Sequence, residues 1–158
     1  MHRLHPYSLW LGNSGDVTNL RGVLDQGVRA LVDLALNEPV PQLTRDVMYC
    51  RFPLVDGAGN NPWQLVTAID MVTSLLRLEV PTLVFCSGGV SRAPAIAAAA
   101  LNLYTGKTPD ECLRVIAGTV SHDVNPGFWN DVVAICRSRR PSRSDPQIPM
   151  LTGGSLIP

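Results

Sequence analysis

The sequence predicts an α/β domain, with helices on the faces of a largely parallel or mixed sheet. Three observations support this. Short β-rich apolar runs alternate along the chain with stretches of helical periodicity. Cap and stop residues punctuate most of those stretches. The chain has 158 residues and 46% hydrophobic content, enough to bury one core without disulfide or metal staples.

The elements follow in order. Tyr7 to Leu11 reads as a first strand, after which Asp16 stands where a helix N-cap belongs and Gly27 stops that helix near Gln26. Ala30 to Leu36 and Val47 to Leu54 read as strands, separated by a polar loop with Pro39 and Pro41. A glycine-rich turn, Asp56-Gly57-Ala58-Gly59-Asn60, comes next. Asn61-Pro62 is a cap followed by a first-turn proline, and Leu65, Val66, Ile69, Val72 and Leu76 keep helical spacing to about Leu78. Thr82 to Phe85 reads as a buried strand, and alanine-rich Ala93 to Leu103 as a helix ending at Gly106. Thr108-Pro109-Asp110-Glu111 is a capping box that opens a helix to about Gly118. Asn125-Pro126 opens the last helix, to about Arg139. Trp63 and Trp129 fall in these helical patterns and are expected to anchor packing. The domain is expected over residues 1–139, and residues 140–158, rich in Pro, Ser, Gly and Arg, read as a poorly ordered tail.

Thirteen basic and thirteen acidic residues cancel, so the overall charge does not point to nucleic acid or an anionic membrane surface. Specificity must come from a local site. Cys50, Cys86, Cys112 and Cys136 form no CxxC pair, which argues against a zinc site and a dense disulfide framework. No signal-like or membrane-spanning apolar run is present, and a reducing cytoplasm is the expected compartment. His122 has no second His or Cys placed to complete a metal site, and neither a metal nor a cofactor is expected.

The chemistry concentrates in one loop. Cys86 ends an apolar strand, Ser87, Gly88, Gly89, Val90 and Ser91 form a turn, and Arg92 opens a helix. Backbone N–H groups of such a turn can converge on one oxyanion, and the helix N-terminus adds its positive dipole end. Arg92 can close on two phosphate oxygens bidentately. The same field favours the thiolate of Cys86, which makes it a nucleophile without a dedicated base. Gly106-Lys107-Thr108 is not a nucleotide-binding loop, because Leu101 stands where the first glycine must be and the segment before it reads as helix.

Cys86-x-x-Gly89-x-x-Arg92 resembles the CxxGxxR signature of the protein tyrosine phosphatase superfamily, and Gly89-Val90-Ser91-Arg92 resembles the loop of its dual-specificity branch. The resemblance runs from about Leu9 to Arg139. It includes LGNSGD, the turn at Asp56, TGKTPDECL and the Asn125-Pro126-x-Phe128 element. It implies a mixed sheet of about five strands flanked by helices, and phosphomonoester hydrolysis through a phosphocysteine. It also implies an aspartic acid on a mobile loop, and Asp56, 30 residues ahead of Cys86, holds that place. Low-molecular-weight phosphatases and arsenate reductases share the cysteine–arginine spacing, but their loop follows the first strand, whereas here three strands are expected before it. Rhodanese-like domains lack the acid loop.

Two positions depart from the family pattern. Phe85 stands where histidine is usual, and Ala93 where Ser or Thr is usual. Ala93 cannot donate a hydrogen bond to the departing thiolate, so the second step is expected to be slow. A catalytically weak phosphate-binding module is therefore the alternative reading. The uncharged loop positions do not favour a multiply phosphorylated inositol. Phosphotyrosine or phosphoserine/threonine on a protein is the expected substrate, with a phosphate or sulfate ion able to occupy the loop.

Overall fold

The structure, a computed structural model, describes residues 1–139. The tail expected from residue 140 lies outside the described residues. Five strands are present among these residues: His2–Arg3 (β1), Leu9–Asn13 (β2), Ala30–Asp33 (β3), Met48–Arg51 (β4) and Thr82–Cys86 (β5). They form one mixed sheet in the order β1-β2-β5-β3-β4. Only β1 is antiparallel to its neighbour. The fully buried run Thr82-Leu-Val-Phe-Cys86 takes the middle position, as a strand with both faces covered should.

Strand alternation sorts side chains to two faces. Leu31, Leu83 and Phe85 pack with Val17, Leu20 and Val23 from the segment that contains Leu20–Asp25 (α1). Val32, Val84 and Cys86 face the larger core, beneath Pro62–Arg77 (α2) and Arg92–Thr105 (α3). Pro109–Ala117 (α4) and Pro126–Ser138 (α5) pack on α3. Every residue of α3 from Arg92 to Asn102 is buried. Its alanines let strand and neighbouring helices approach on all sides, so the helix that carries Arg92 is held by the centre of the core.

The caps behave as the sequence predicts for three helices. The Asn61 side chain accepts from the Trp63 N–H, and that of Asn125 from the N–H groups of Gly127 and Phe128. Thr108 and Glu111 form a reciprocal capping box.

Other expectations are corrected. The first long strand begins at Leu9, and a two-residue strand precedes it, so four strands rather than three come before the strand that leads into the Cys86 loop. Asp16 does not cap α1. Its carboxylate accepts from the Met1 amine and the Asn13 N–H, the chain makes a 3-10 turn over Asp16–Asn19, and Asn19 caps α1 instead. Strand β3 stops at Asp33, short of Leu36, because the Asp33 carboxylate captures the Ala35 N–H at 2.8 Å. Trp129 packs against the core, but Trp63 is 62% exposed and anchors nothing there.

Candidate active site

Strand β5 ends at Cys86, in register with Asn13 of β2 on one side and following Asp33 of β3 on the other. All three strands are parallel, so the site lies at the carboxyl end of the central strand. That is the usual place for a ligand in an open α/β sheet. The Ser14 N–H donates to the carbonyl of Cys86 at 3.0 Å, and the Ser14 hydroxyl donates to the same oxygen at 3.3 Å.

Gly89 has φ +76, and a Cβ added there would sit 2.8 Å from the Gly12 carbonyl oxygen. The conformation and the close approach to β2 both require glycine. A turn with a left-handed residue gathers successive N–H groups on one side. Among the described residues, the N–H groups of Ser87, Gly88, Gly89, Val90 and Ser91 donate to no protein acceptor. The loop is fixed from outside instead. The Val90 carbonyl accepts from the Asp123 N–H at 2.8 Å, and the Ser91 hydroxyl accepts from the Asn125 N–H at 3.0 Å.

Arg92 is the first residue of α3 and is 6% exposed. Its Nη1 donates to the carbonyls of Leu34 and Leu54, at 3.2 and 2.9 Å, and its Nη2 donates to the Ser87 hydroxyl at 2.6 Å. The Nε atom is buried with no partner among the described residues. A buried guanidinium N–H left without an acceptor is costly, so this edge calls for an acceptor from outside the protein.

Asp56 lies on an exposed turn that Asn60 holds shut, its side chain accepting from the Val55 N–H and donating to the carbonyls of Val55 and Gly57. The Gly59 N–H ties the same turn to Asp131 of α5 at 3.0 Å. The Ser91 hydroxyl donates to Asp56 Oδ1 at 2.5 Å. Ser91 therefore joins the acid turn, the cap of α5 and the Cys86 loop at one hydroxyl. The sequence pattern brings these three segments to notice separately, but no local signal links them.

One further residue, Glu38, borders the loop without having been expected there. A hydrogen bond from Ser87, joined by the N–H groups of Glu38 and Asn37 and the charge of Arg92, holds the Glu38 carboxyl below its usual range. Arg51 steadies that segment, with Nη2 donating to the carbonyls of Ala35, Leu36 and Glu38. Arg51 is anchored by buried Asp33, whose Oδ2 also accepts from the Tyr49 hydroxyl at 2.5 Å. Burial, with the bond and charge of Asp33 adding to it, pushes the Tyr49 phenol up, so it stays a donor.

The other cysteines differ from Cys86 in setting rather than in exposure. Cys86, Cys112 and Cys136 are all buried, and Cys50 is half-buried. Burial pushes the thiols of Cys50 and Cys112 up. Only Cys86 lies at the start of a loop of unpaired N–H groups.

No protein-family model matches the chain, and no curated protein sequence does. Solved structures do. Human DUSP28 superposes with a TM-score of 0.77 at 24% identity, over 87% of this chain and 96% of its own. A mouse protein of the dual-specificity phosphatase class, solved with zinc tungstate, gives 0.77 at 22% identity, over 87% and 86%. The human tyrosine phosphatase-like serine/threonine/tyrosine-interacting protein gives 0.75 at 17% identity, over 85% and 94%. With its sheet order and its loop at the end of the central strand, the chain has the fold of the dual-specificity branch of the protein tyrosine phosphatases.

Proposed function

We propose that the chain is a cysteine-dependent phosphatase that hydrolyses singly phosphorylated protein side chains. One observation carries the reading: five unpaired backbone N–H groups and the unpartnered Nε of buried Arg92 stand directly after Cys86. This is a seat for a phosphate-sized oxyanion beside a nucleophile. Tungstate, a phosphate analogue, is bound in one protein of this fold, which supports the same chemistry here.

In the proposed reaction, the Cys86 thiolate attacks phosphorus, an S–P bond forms and the P–O bond to the leaving group breaks. Asp56 gives its proton to the departing oxygen. Water then attacks phosphorus, Asp56 takes the proton back, and the S–P bond breaks to restore the thiolate. The loop N–H groups and Arg92 hold the equatorial oxygens throughout, where charge accumulates. Serine 91 holds Asp56 at the loop's edge. The proposed domain is residues 1–139, and no helix among the described residues is long and apolar enough to cross a membrane.

Steady-state hydrolysis tests the roles. Cys86→Ser is expected to abolish turnover. Asp56→Asn is expected to lower it by roughly 10²–10⁴-fold on a phosphotyrosine peptide and far less on an activated aryl phosphate, whose leaving group needs little protonation. Equal losses on both substrates would make Asp56 a structural residue. Ala93, fully buried and without a hydroxyl one position after Arg92, favours the second reading, a phosphate-binding module. That module binds phosphate but leaves every phosphomonoester intact.

A further inference from the structure

Beside the Cys86 loop lies an open cavity of about 520 Å³ that no step of the proposed reaction uses. Val17, Leu20, Phe85, Pro39 and Val40 line it, with Glu38 among them. The cavity reaches the loop at two places. Ser14 lines it and hydrogen-bonds to the Cys86 carbonyl, and the Glu38 carboxyl, also in its lining, is held below its usual range chiefly by the Ser87 hydroxyl.

Its lining chemistry is selective. Half of the lining residues are apolar, and neither Lys nor Arg is among them, while Asp33 and Glu38 are. A second phosphate has no cation to meet there and faces a carboxylate at the junction. Phe85, where the family pattern has a histidine, is buried beneath the cavity floor. The segment that walls the cavity exposes Val40 on the wall itself and Leu36 and Leu43 outside it. Three exposed apolar side chains on one loop extend the apolar surface beyond what a small molecule would cover, and such patches mark contacts with a larger partner.

We propose that this cavity is a specificity subsite that takes an apolar side chain close to the phosphorylated residue in an extended segment of the substrate protein. The proposal rests on the phosphatase reading for the placement of the phosphate. An extended chain advances about 3.3 Å per residue, so a neighbour one or two positions away lies within reach of the adjoining cavity. Proline at positions 39 and 41 stiffens the wall, which limits the ordering cost of binding.

The test uses the Cys86→Ser protein and phosphopeptides, in phosphotyrosine and phosphothreonine versions, with Leu moved through the two positions on either side of an otherwise Ala background. Calorimetric titration is expected to show one Leu position that tightens binding roughly ten- to a hundredfold, the worth of burying one apolar side chain. A second phosphoresidue at that position is expected to weaken binding, and Glu38→Gln to relieve that loss. Val40→Asp, at a residue 52% exposed and so tolerant of change, is expected to erase the Leu gain. The proposal is overturned if every Leu peptide binds like the Ala peptide, or if the gain survives Val40→Asp. Turnover of the same peptides by the unsubstituted protein separates the two readings. Leu-dependent binding without hydrolysis removes the phosphatase and keeps the subsite, whereas hydrolysis indifferent to Leu removes the subsite and keeps the phosphatase.

Discussion

Arg92 and Ala93 are adjacent, both buried, and pull the proposed reaction in opposite directions. Arg92 spends Nη1 on two carbonyls, which sets the guanidinium plane before any ligand arrives and leaves Nε free for one. Ala93 removes the hydroxyl that would help the thiolate leave. Phosphocysteine is therefore expected to form readily and break slowly. Ala93→Ser is expected to raise steady-state turnover of an activated substrate by on the order of ten- to a hundredfold if thiolate departure limits the rate, from a hydrogen bond worth about 1.5–3 kcal/mol to a charged group. The burst rate should stay nearly unchanged, because attack by Cys86 does not use that hydroxyl. Stopped-flow release of an aryl alcohol checks both, and no change in either would end the argument about the hydroxyl. Cys86 and Arg92 stand out in the sequence by their spacing and Asp56 by the resemblance, and Ser91 brings the Asp56 turn to the loop between the other two. Glu38 was not legible, because its approach to the loop depends on how the segment after β3 folds back, which the bonds of Arg51 to the Ala35, Leu36 and Glu38 carbonyls and to Asp33 help to set.

At the scale of elements, the readable signals were those with a local cause. Helices α2, α4 and α5 begin where Asn61, Thr108 and Asn125 cap them, each followed by proline. The first helix was misread because Asp16 found stronger partners in the Met1 amine and the Asn13 N–H, an arrangement that needs β1 and β2 in place. The capping box of α4 gives a pH prediction. The Thr108 N–H, and next the Thr108 hydroxyl, hold the Glu111 carboxyl below its usual range. Its folded value lies below its unfolded one, so the contribution is complete above the unfolded value and is lost as pH falls through the folded one. Glu111→Gln should therefore lower the melting temperature near neutral pH, with the difference shrinking as pH drops below about 4. Thermal unfolding of both proteins across that range checks the sign, and a gap that widens in acid would contradict it.

Across the whole molecule, the sheet order explains why Cys86, the loop of unpaired N–H groups and the Asp56 turn meet at one edge. Strand β5 is central, its parallel neighbours end beside it, and the turns after β2, β3 and β4 all arrive at the same edge. The count of about five strands came only from the resemblance, while the α/β class and four of the five strands were legible from the run of apolar segments. Strand order was not, since it depends on contacts between residues far apart in sequence, such as Asn13 with Cys86. If the loop is an anion seat, phosphate binds the folded state alone and stabilises it by on the order of 2–3 kcal/mol at a hundredfold excess over its dissociation constant. Unfolding in rising phosphate should show this for the unsubstituted protein and for Cys86→Ser, and much less for Arg92→Lys, which keeps the charge without the paired N–H edge.

The central claim is that Cys86 carries the phosphoryl group, and rapid acid quench of a single turnover, with protein in excess over an aryl phosphate, measures it directly. The account predicts a fast release of alcohol matched by phosphate covalently attached to Cys86, which then decays slowly and is absent in Cys86→Ser. Loss of substrate with no phosphoryl group on Cys86 at any time, or no release of alcohol at all, would contradict it.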